Sequence, residues 1–175
     1  MNGAIRLSGG SRLSIDGPGL TRDQFIGLVE RHNDDLIRLA FAMSGDRAAA
    51  EDAAQSCWDA AWRSRTTIRD PERIKGWLFT VTANNMRRHM RRKRLSGLLQ
   101  GRISTPVPVQ ADARHLDLHT ALARLSLDER QLVGLRYGVG LTSDEIGQTL
   151  GISASGTRRR LQRVLAKLRS ELTDA

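Results

Sequence analysis

The sequence predicts an all-α protein of two small helical domains joined by a flexible linker, the second domain holding a helix-turn-helix. Three observations predict it. Apolar residues recur at three- and four-residue steps through most of the chain, the spacing of one helix face. No stretch alternates as a strand does. A block with glycines, prolines and little periodicity separates two periodic blocks. The expected division is a flexible leader at 1–20, a first domain at 21–94, a linker at 95–116 and a second domain at 117–175.

In the first domain, Phe25, Leu28, Val29, Leu36, Leu39, Ala40 and Met43 define one helix, ending near Ser44-Gly45-Asp46. A second runs from Ala48 to about Arg63, with Ala50, Ala54, Cys57, Trp58, Ala61 and Trp62 on one face. A third begins after Asp70-Pro71, where proline suits a first turn. It continues through Ile74, Trp77, Leu78 and Val81 into the basic run Arg87–Arg94. The four-residue spacing of Trp58 and Trp62 places both in the core rather than on a base-stacking surface. Trp77 joins them beside Leu78, and Cys57 is expected as a buried structural thiol.

Ser96-Gly97, Gly101, Pro106 and Pro108 mark the linker. Its composition leaves little apolar surface to offset ordering entropy, so the two domains are expected to reorient independently in the free chain. The second domain holds Leu122, Leu125, Leu132, Val133 and Leu135, and it ends in an amphipathic helix with Leu161, Val164, Leu165, Leu168 and Leu172.

The stretch Leu141–Arg163 reads as helix, tight turn and helix. Thr142 with Glu145 fits a capping box, and Ile146 and Leu150 lie on one face. Gly151 supplies a positive-φ stop, with Ile152 in the corner. Gly147 falls where the two helices leave no room for a bulky side chain. The second helix carries Arg158, Arg159 and Arg160, which suit phosphates and guanine edges in a major groove. The three spread over more than half a turn, so one or two meet bases while the others, with Arg163, position the helix on phosphates. Ser153 and Ser155 at its start can donate to phosphate, and Ser153 also serves as a plain N-cap.

Composition narrows the function classes. The 175-residue chain has a formal charge of +9, with 28 Lys and Arg against 19 Asp and Glu. That excess favours a polyanionic partner, nucleic acid before membrane, since no segment approaches the ~20 apolar residues of a spanning helix. The leader MNGAIRLSGGSRLSIDGPGL has no continuous apolar core of a secretory signal. One cysteine excludes an internal disulfide or a cysteine-based zinc site, so a reducing cytoplasm is expected. His32, His89, His115 and His119 lack partners for a metal site, and neither a catalytic constellation nor a phosphate-cradling loop is present. The expected protein is not an enzyme and needs no cofactor.

The charge is also segregated. Residues 21–62 hold eight acidic and four basic residues, 73–94 hold eight basic and no acidic, and 153–169 hold six basic and no acidic. Such segregation points to separate surfaces for separate partners. Two readings stand for the run Arg87–Arg94 and the polar residues before it. Asn84 and Asn85 can contact bases or sugars while the arginines follow a phosphate backbone, or the run is a solvated basic helix end favoured by the helix dipole.

AEDAAQSCWDAAW (Ala50–Trp62) followed by KGWLFTVTANNMRRHMRRKR (Lys75–Arg94) resembles conserved region two of bacterial sigma factors. LSLDERQLVGLRYGVGLTSDEIGQTLGISASGTRRRLQRVLAKLR (Leu125–Arg169) resembles region four. The pair, in this order with a short linker, resembles the extracytoplasmic-function (ECF) group of RNA polymerase sigma factors. The resemblance implies that the chain joins core RNA polymerase and directs it to promoters. Asp52, Gln55 and Ser56 match positions that bind the clamp of the largest polymerase subunit. Asn84, Asn85, Arg88, Arg91 and Arg92 lie on the helix implied to capture the melted minus-ten strand. Ser153, Ser155, Arg158, Arg159, Arg160 and Arg163 belong to the helix implied to read the minus-thirty-five duplex.

Ser56 and Arg88 replace residues that are acidic in the family pattern, and Gly156-Thr157 replaces a Thr-Val pair. Set against the resemblance, Ser56 implies a weaker or redirected clamp contact, Arg88 a more basic strand-binding surface, and Gly156-Thr157 a looser second domain or one ordered on binding. Whether an anti-sigma factor also binds is left open. Two other functions fit parts of the sequence: a stand-alone helix-turn-helix transcriptional regulator, whose first domain would dimerise or sense, and a basic RNA-binding protein.

Overall fold

The structure is a computed structural model that describes residues 19–68, 71–99, 118 and 120–173. The remaining leader and most of the predicted linker lie outside the described residues, as do His115 and His119. The elements are α1 (Arg22–Ser44), α2 (Arg47–Arg63), α3 (Pro71–Leu99), α4 (Leu127–Val133), a π-helical turn (Gly134–Gly138), α5 (Ser143–Leu150) and α6 (Ala154–Thr173), with a short helical turn at 120–123 before α4. No strand occurs among the described residues.

The ends of these helices are written in the sequence. Thr21 and Gln24 form a reciprocal capping box on α1, and Gly45 closes it at φ 68° with its N–H on the Phe41 carbonyl at 2.7 Å. Asp46 then caps α2 by accepting the Ala49 N–H at 3.1 Å. Sequence reasoning ends the third helix at Arg94, but α3 continues to Leu99. Leu95–Leu99, counted with the linker, are therefore helical. The leader is also shorter than expected: Leu20 is buried and donates its N–H to the Arg65 carbonyl at 2.9 Å.

Helices α1 to α3 pack as a three-helix unit around Leu28, Leu36, Leu39, Met43, Cys57, Leu78, Phe79 and Met86, each fully or almost fully buried. Small residues on α2 (Ala49, Ala50, Ala53, Ala54 and Ala61) let the helices approach closely. Trp58 is buried, with its indole N–H on Asn33 Oδ1 at 3.0 Å. Trp62 corrects the core expectation: one edge meets Phe25, but the ring is 38% exposed and Arg65 stacks over it at 4.1 Å. It lies near the end of α2, where the three-helix core has closed beneath it. Trp77 is half-buried against the core.

The second unit surrounds Leu125, Leu132, Leu135, Leu141, Ile146, Leu161, Val164 and Leu168. A second capping box, Ser126 with Glu129, starts α4. Leu172, read as part of the apolar stripe of α6, is 43% exposed, so the stripe ends at Leu168.

The two units do not stand apart, as independent reorientation requires. The buried apolar side chains form one cluster running from Leu20 to Leu168. The π-turn lies on α1 so closely that a Cβ on Gly134 would stand 3.0 Å from Ala42 Cβ. Arg130 of α4 donates to the Met43 carbonyl of α1 at 2.9 Å. The glycine content that suggests a loose tether says nothing of this contact, which depends on the unfilled face of α1.

Candidate nucleic-acid interface

The helix-turn-helix is assembled from local signals. Thr142 Oγ1 accepts the Glu145 N–H at 3.2 Å while the Glu145 carboxylate accepts the Thr142 N–H at 2.8 Å. The Thr142 N–H, followed by the Thr142 hydroxyl 2.9 Å from Glu145 Oε2, holds the Glu145 carboxyl below its usual value. Gly151 stops α5 at φ 69°. A Cβ on Gly147 would lie 2.6 Å from the Ile152 carbonyl oxygen, so the residue must be glycine because the turn backbone lies against it.

Helix α6 then starts at a built cap. Ser153 Oγ accepts the Gly156 N–H at 3.1 Å and also meets Ser155 Oγ at 3.1 Å. The looseness expected of Gly156-Thr157 does not appear at this point. Thr157 is completely buried and returns its hydroxyl to the Ser153 carbonyl at 3.1 Å. A Cβ on Gly156 would approach Ser153 Oγ to 3.1 Å, so glycine leaves the cap undisturbed.

All of Ser153, Ser155, Arg158, Arg159, Arg160 and Arg163 are exposed. Their directions differ. The buried positions Thr157, Leu161, Val164 and Leu168 fix the inward face. At ~100° per residue, Ser155, Arg159 and Arg163 form a stripe opposite it, while Arg158 and Arg160 flank the stripe.

The second basic surface is the C-terminal half of α3. Asn84, Arg88, Arg91 and Arg92 are exposed. Asn84, Arg88 and Arg91 follow one helix stripe. With Arg87, Arg94 and Leu127 they line a pocket of about 550 Å³. Asn85 is turned the other way: it is half-buried, and its amide donates to the Ala53 carbonyl at 3.4 Å, toward α2. Arg92 lies on that same side of α3, so the structure brings together only part of the expected set.

On α2, Asp52, Gln55 and Ser56 are exposed together with Glu51 and Asp59, opposite the alanine face. Cys57 lies behind them, fully buried, with its thiol on the Leu78 carbonyl at 3.5 Å. Burial pushes that thiol up to about 11.

Sequence reasoning missed Arg87 as a centre of contacts. Its guanidinium donates to Asp128 Oδ1 at 2.6 and 3.3 Å, to Gln131 Oε1, and to Asn84 Oδ1 at 3.3 Å. The partners lie 41 and 44 residues away, and no local pattern announces them. Among the described residues no group of His, Cys, Asp and Glu is placed to hold a metal ion, and no helix is long and apolar enough to cross a membrane.

A helix-turn-helix with an outward arginine stripe and a second basic helix define a DNA-binding transcription protein. The family model of Sigma-70 region 2 matches residues 28–95, and that of Sigma-70 region 4 matches 121–170. The ECF RNA polymerase sigma factor SigL of Mycobacterium tuberculosis is 32% identical over 155 residues, covering 84% of this chain and 88% of that protein. The RNA polymerase sigma factor SigV of Bacillus subtilis is 25% identical, covering 87% and 93%. The chain belongs to the ECF sigma factors, transcription factors rather than enzymes.

Two solved structures share the fold. The sigma factor RpoE of Bartonella quintana, in complex with the anti-sigma factor NepR, superposes with a TM-score of 0.71 at 23% identity, covering 87% of this chain and 98% of that one. CnrH, in complex with the cytosolic domain of CnrY, superposes with a TM-score of 0.66 at 26% identity, covering 88% and 90%.

Proposed function

We propose that this sigma factor binds core RNA polymerase through α2 and reads promoter DNA at two places. Region four reads the minus-thirty-five element as duplex, and region two captures the melted minus-ten strand. The observation that carries this reading is the pair of separate, exposed arginine stripes. One lies on a recognition helix whose inward face is fully committed to packing, the other on α3.

The division of labour follows from shape. An α-helix fits the major groove of a duplex, so Ser155, Arg159 and Arg163 face base edges while Arg158, Arg160 and Ser153 contact phosphates. Helix α3 is suited to an unpaired strand, with Arg88 and Arg91 on the backbone and Asn84 toward a base or sugar. Asn85 and Arg92 contribute less, because their side of α3 turns toward α2. Asp52 and Gln55 give α2 exposed acidic and amide groups for the polymerase clamp, and Ser56 weakens that contact relative to the family pattern.

The chain acts where polymerase and chromosome are, in the cytoplasm. An anti-sigma factor is a further partner, by analogy with the RpoE–NepR complex that shares its fold.

Co-purification of core polymerase with Asp52→Arg/Gln55→Ala tests the α2 assignment. The double variant should fold normally, as both side chains are exposed, and should fail to retain core enzyme. Retention equal to that of the unaltered chain would remove α2 from the interface.

A further inference from the structure

Helices α1 and α2 share an outer groove that neither basic surface uses. On α1, Ile26, Glu30, Asn33 and Ile37 follow one another at three- and four-residue steps, which makes them one stripe. On α2, Glu51, Gln55, Trp58 and Trp62 do the same. The two stripes meet where the Trp58 indole donates to Asn33 Oδ1 at 3.0 Å. Helix α3 lies on the other side of α2, at Ala53 and Cys57. Exposed Glu30 and Glu51 give the groove an acidic rim. At one end it leaves two large apolar side chains in solvent, Ile26 at 45% and Trp62 at 38% exposure. Phe25 takes one edge of the Trp62 ring and Arg65 stacks on one face.

The chain enters the first unit at this same end. Leu20 is tied by its N–H to the Arg65 carbonyl at 2.9 Å. Gly19 lies so close to the turn after α2 that a Cβ there would stand 2.4 Å from Thr66 Cα. Residues 1–18, outside the described residues, therefore start from beside Trp62. Their sequence complements the groove. Arg-Leu-Ser occurs twice, at 6–8 and at 12–14, with Ile5 before the first copy and Ile15 after the second. Each copy sets a cation among apolar side chains, where the groove sets carboxylates among apolar side chains. At about 3.5 Å per extended residue, Ile15 reaches about 14 Å from Gly19 and Leu13 about 21 Å. Trp62 and the first two turns of α1 fall within that span.

We propose that this groove is the docking site of the chain's own leader, with Leu13 and Ile15 covering Trp62 and Ile26 while Arg12 meets Glu30. Two apolar side chains and one exposed ion pair make a weak clasp, so the leader exchanges between docked and free. Gln55 stands on the same α2 stripe as Trp62. For its consequence, competition between leader and polymerase, the proposal rests on the clamp reading given above.

Nuclear magnetic resonance on the full chain reads the docking directly. Nuclear Overhauser contacts are expected between the Ile15 methyls and the Trp62 ring, whose signals Trp62→Phe identifies. Leu13→Asp and Arg12→Glu should each remove those contacts and shift the Trp62 indole resonance. Asn2→Asp, which alters the charge of the leader away from the clasp, should do neither. Two results would overturn the docking. One is absence of the contacts in the unaltered chain. The other is a Trp62 shift that grows with protein concentration, which would assign the groove to a second copy.

Affinity for core polymerase supplies the second readout. Leu13→Asp should raise it about fivefold, the gain from freeing a face covered about four-fifths of the time. If the contacts are present and that affinity is unchanged, the docking stands and the competition is overturned. If Asp52→Arg/Gln55→Ala still retains core enzyme, the clamp reading fails while the contacts keep the docking.

Discussion

Gly147 and Cys57 show how much a single position can specify. A side chain at 147 would press on the Ile152 carbonyl oxygen, a backbone atom that cannot swing aside. Gly147→Val should therefore destabilise the second unit by about 1–3 kcal/mol through overpacking, read as a lower unfolding midpoint in denaturant, with the spectrum of the first unit kept. An unchanged midpoint would mean that the turn relaxes freely. Cys57, buried and with its thiol raised to about 11, should resist a maleimide at pH 7.5 in the native chain and react once the chain is unfolded. Fast native labelling would place it at the surface. Both positions are legible in the sequence, one from helix-turn-helix spacing and the other from a shared apolar face. Trp62 is not. Its spacing matches Trp58, yet whether the core reaches the end of α2 depends on which neighbours arrive there from other parts of the chain.

At the scale of the helix, caps and stripes make testable differences. The carboxyls of Glu129 and Glu145 are held below their ordinary 4.5, each chiefly by the N-cap backbone N–H it accepts. A depressed folded-state value contributes stability that is fully present above 4.5 and is lost as pH falls through the depressed value. Resistance of the second unit to chemical denaturant should thus fall below about pH 4.5, and Glu145→Gln should flatten that dependence. An identical pH profile in the variant would remove the cap as its source.

The two arginine stripes should separate by template. Arg159→Ala should cost duplex binding about 1–3 kcal/mol if it reads a base, with little effect on single strands. Arg91→Ala should weaken single-strand binding and reduce its salt slope by about 0.7. Equal effects on both templates would dissolve the distinction. The stripes were visible as charge runs, and the Thr142–Glu145 cap and Gly151 stop were readable from residue type. The direction of Asn85 was not, because its neighbour Ala53 belongs to another helix and α2–α3 packing decides which asparagine turns inward.

Across the whole molecule, the sequence announces two helical units and two basic surfaces but not how the units meet. Local periodicity identifies each core separately, whereas the seam uses Gly134 on Ala42 and Leu39, Arg130 on the Met43 carbonyl, and Arg87 on Asp128. Each of these contacts has an unremarkable sequence signature, and each joins residues far apart in the chain. The seam opposes the independent reorientation that the prolines and glycines of the linker lead one to expect. Promoter-directed initiation is the activity proposed for this chain. Its most direct test is transcription from a genomic fragment library with core RNA polymerase and this chain as the only protein components, with start sites mapped by sequencing. Discrete start sites that share two elements, appear only when the chain is added and vanish with Asp52→Arg/Gln55→Ala are the predicted result. Initiation no different from that of core enzyme alone would contradict it.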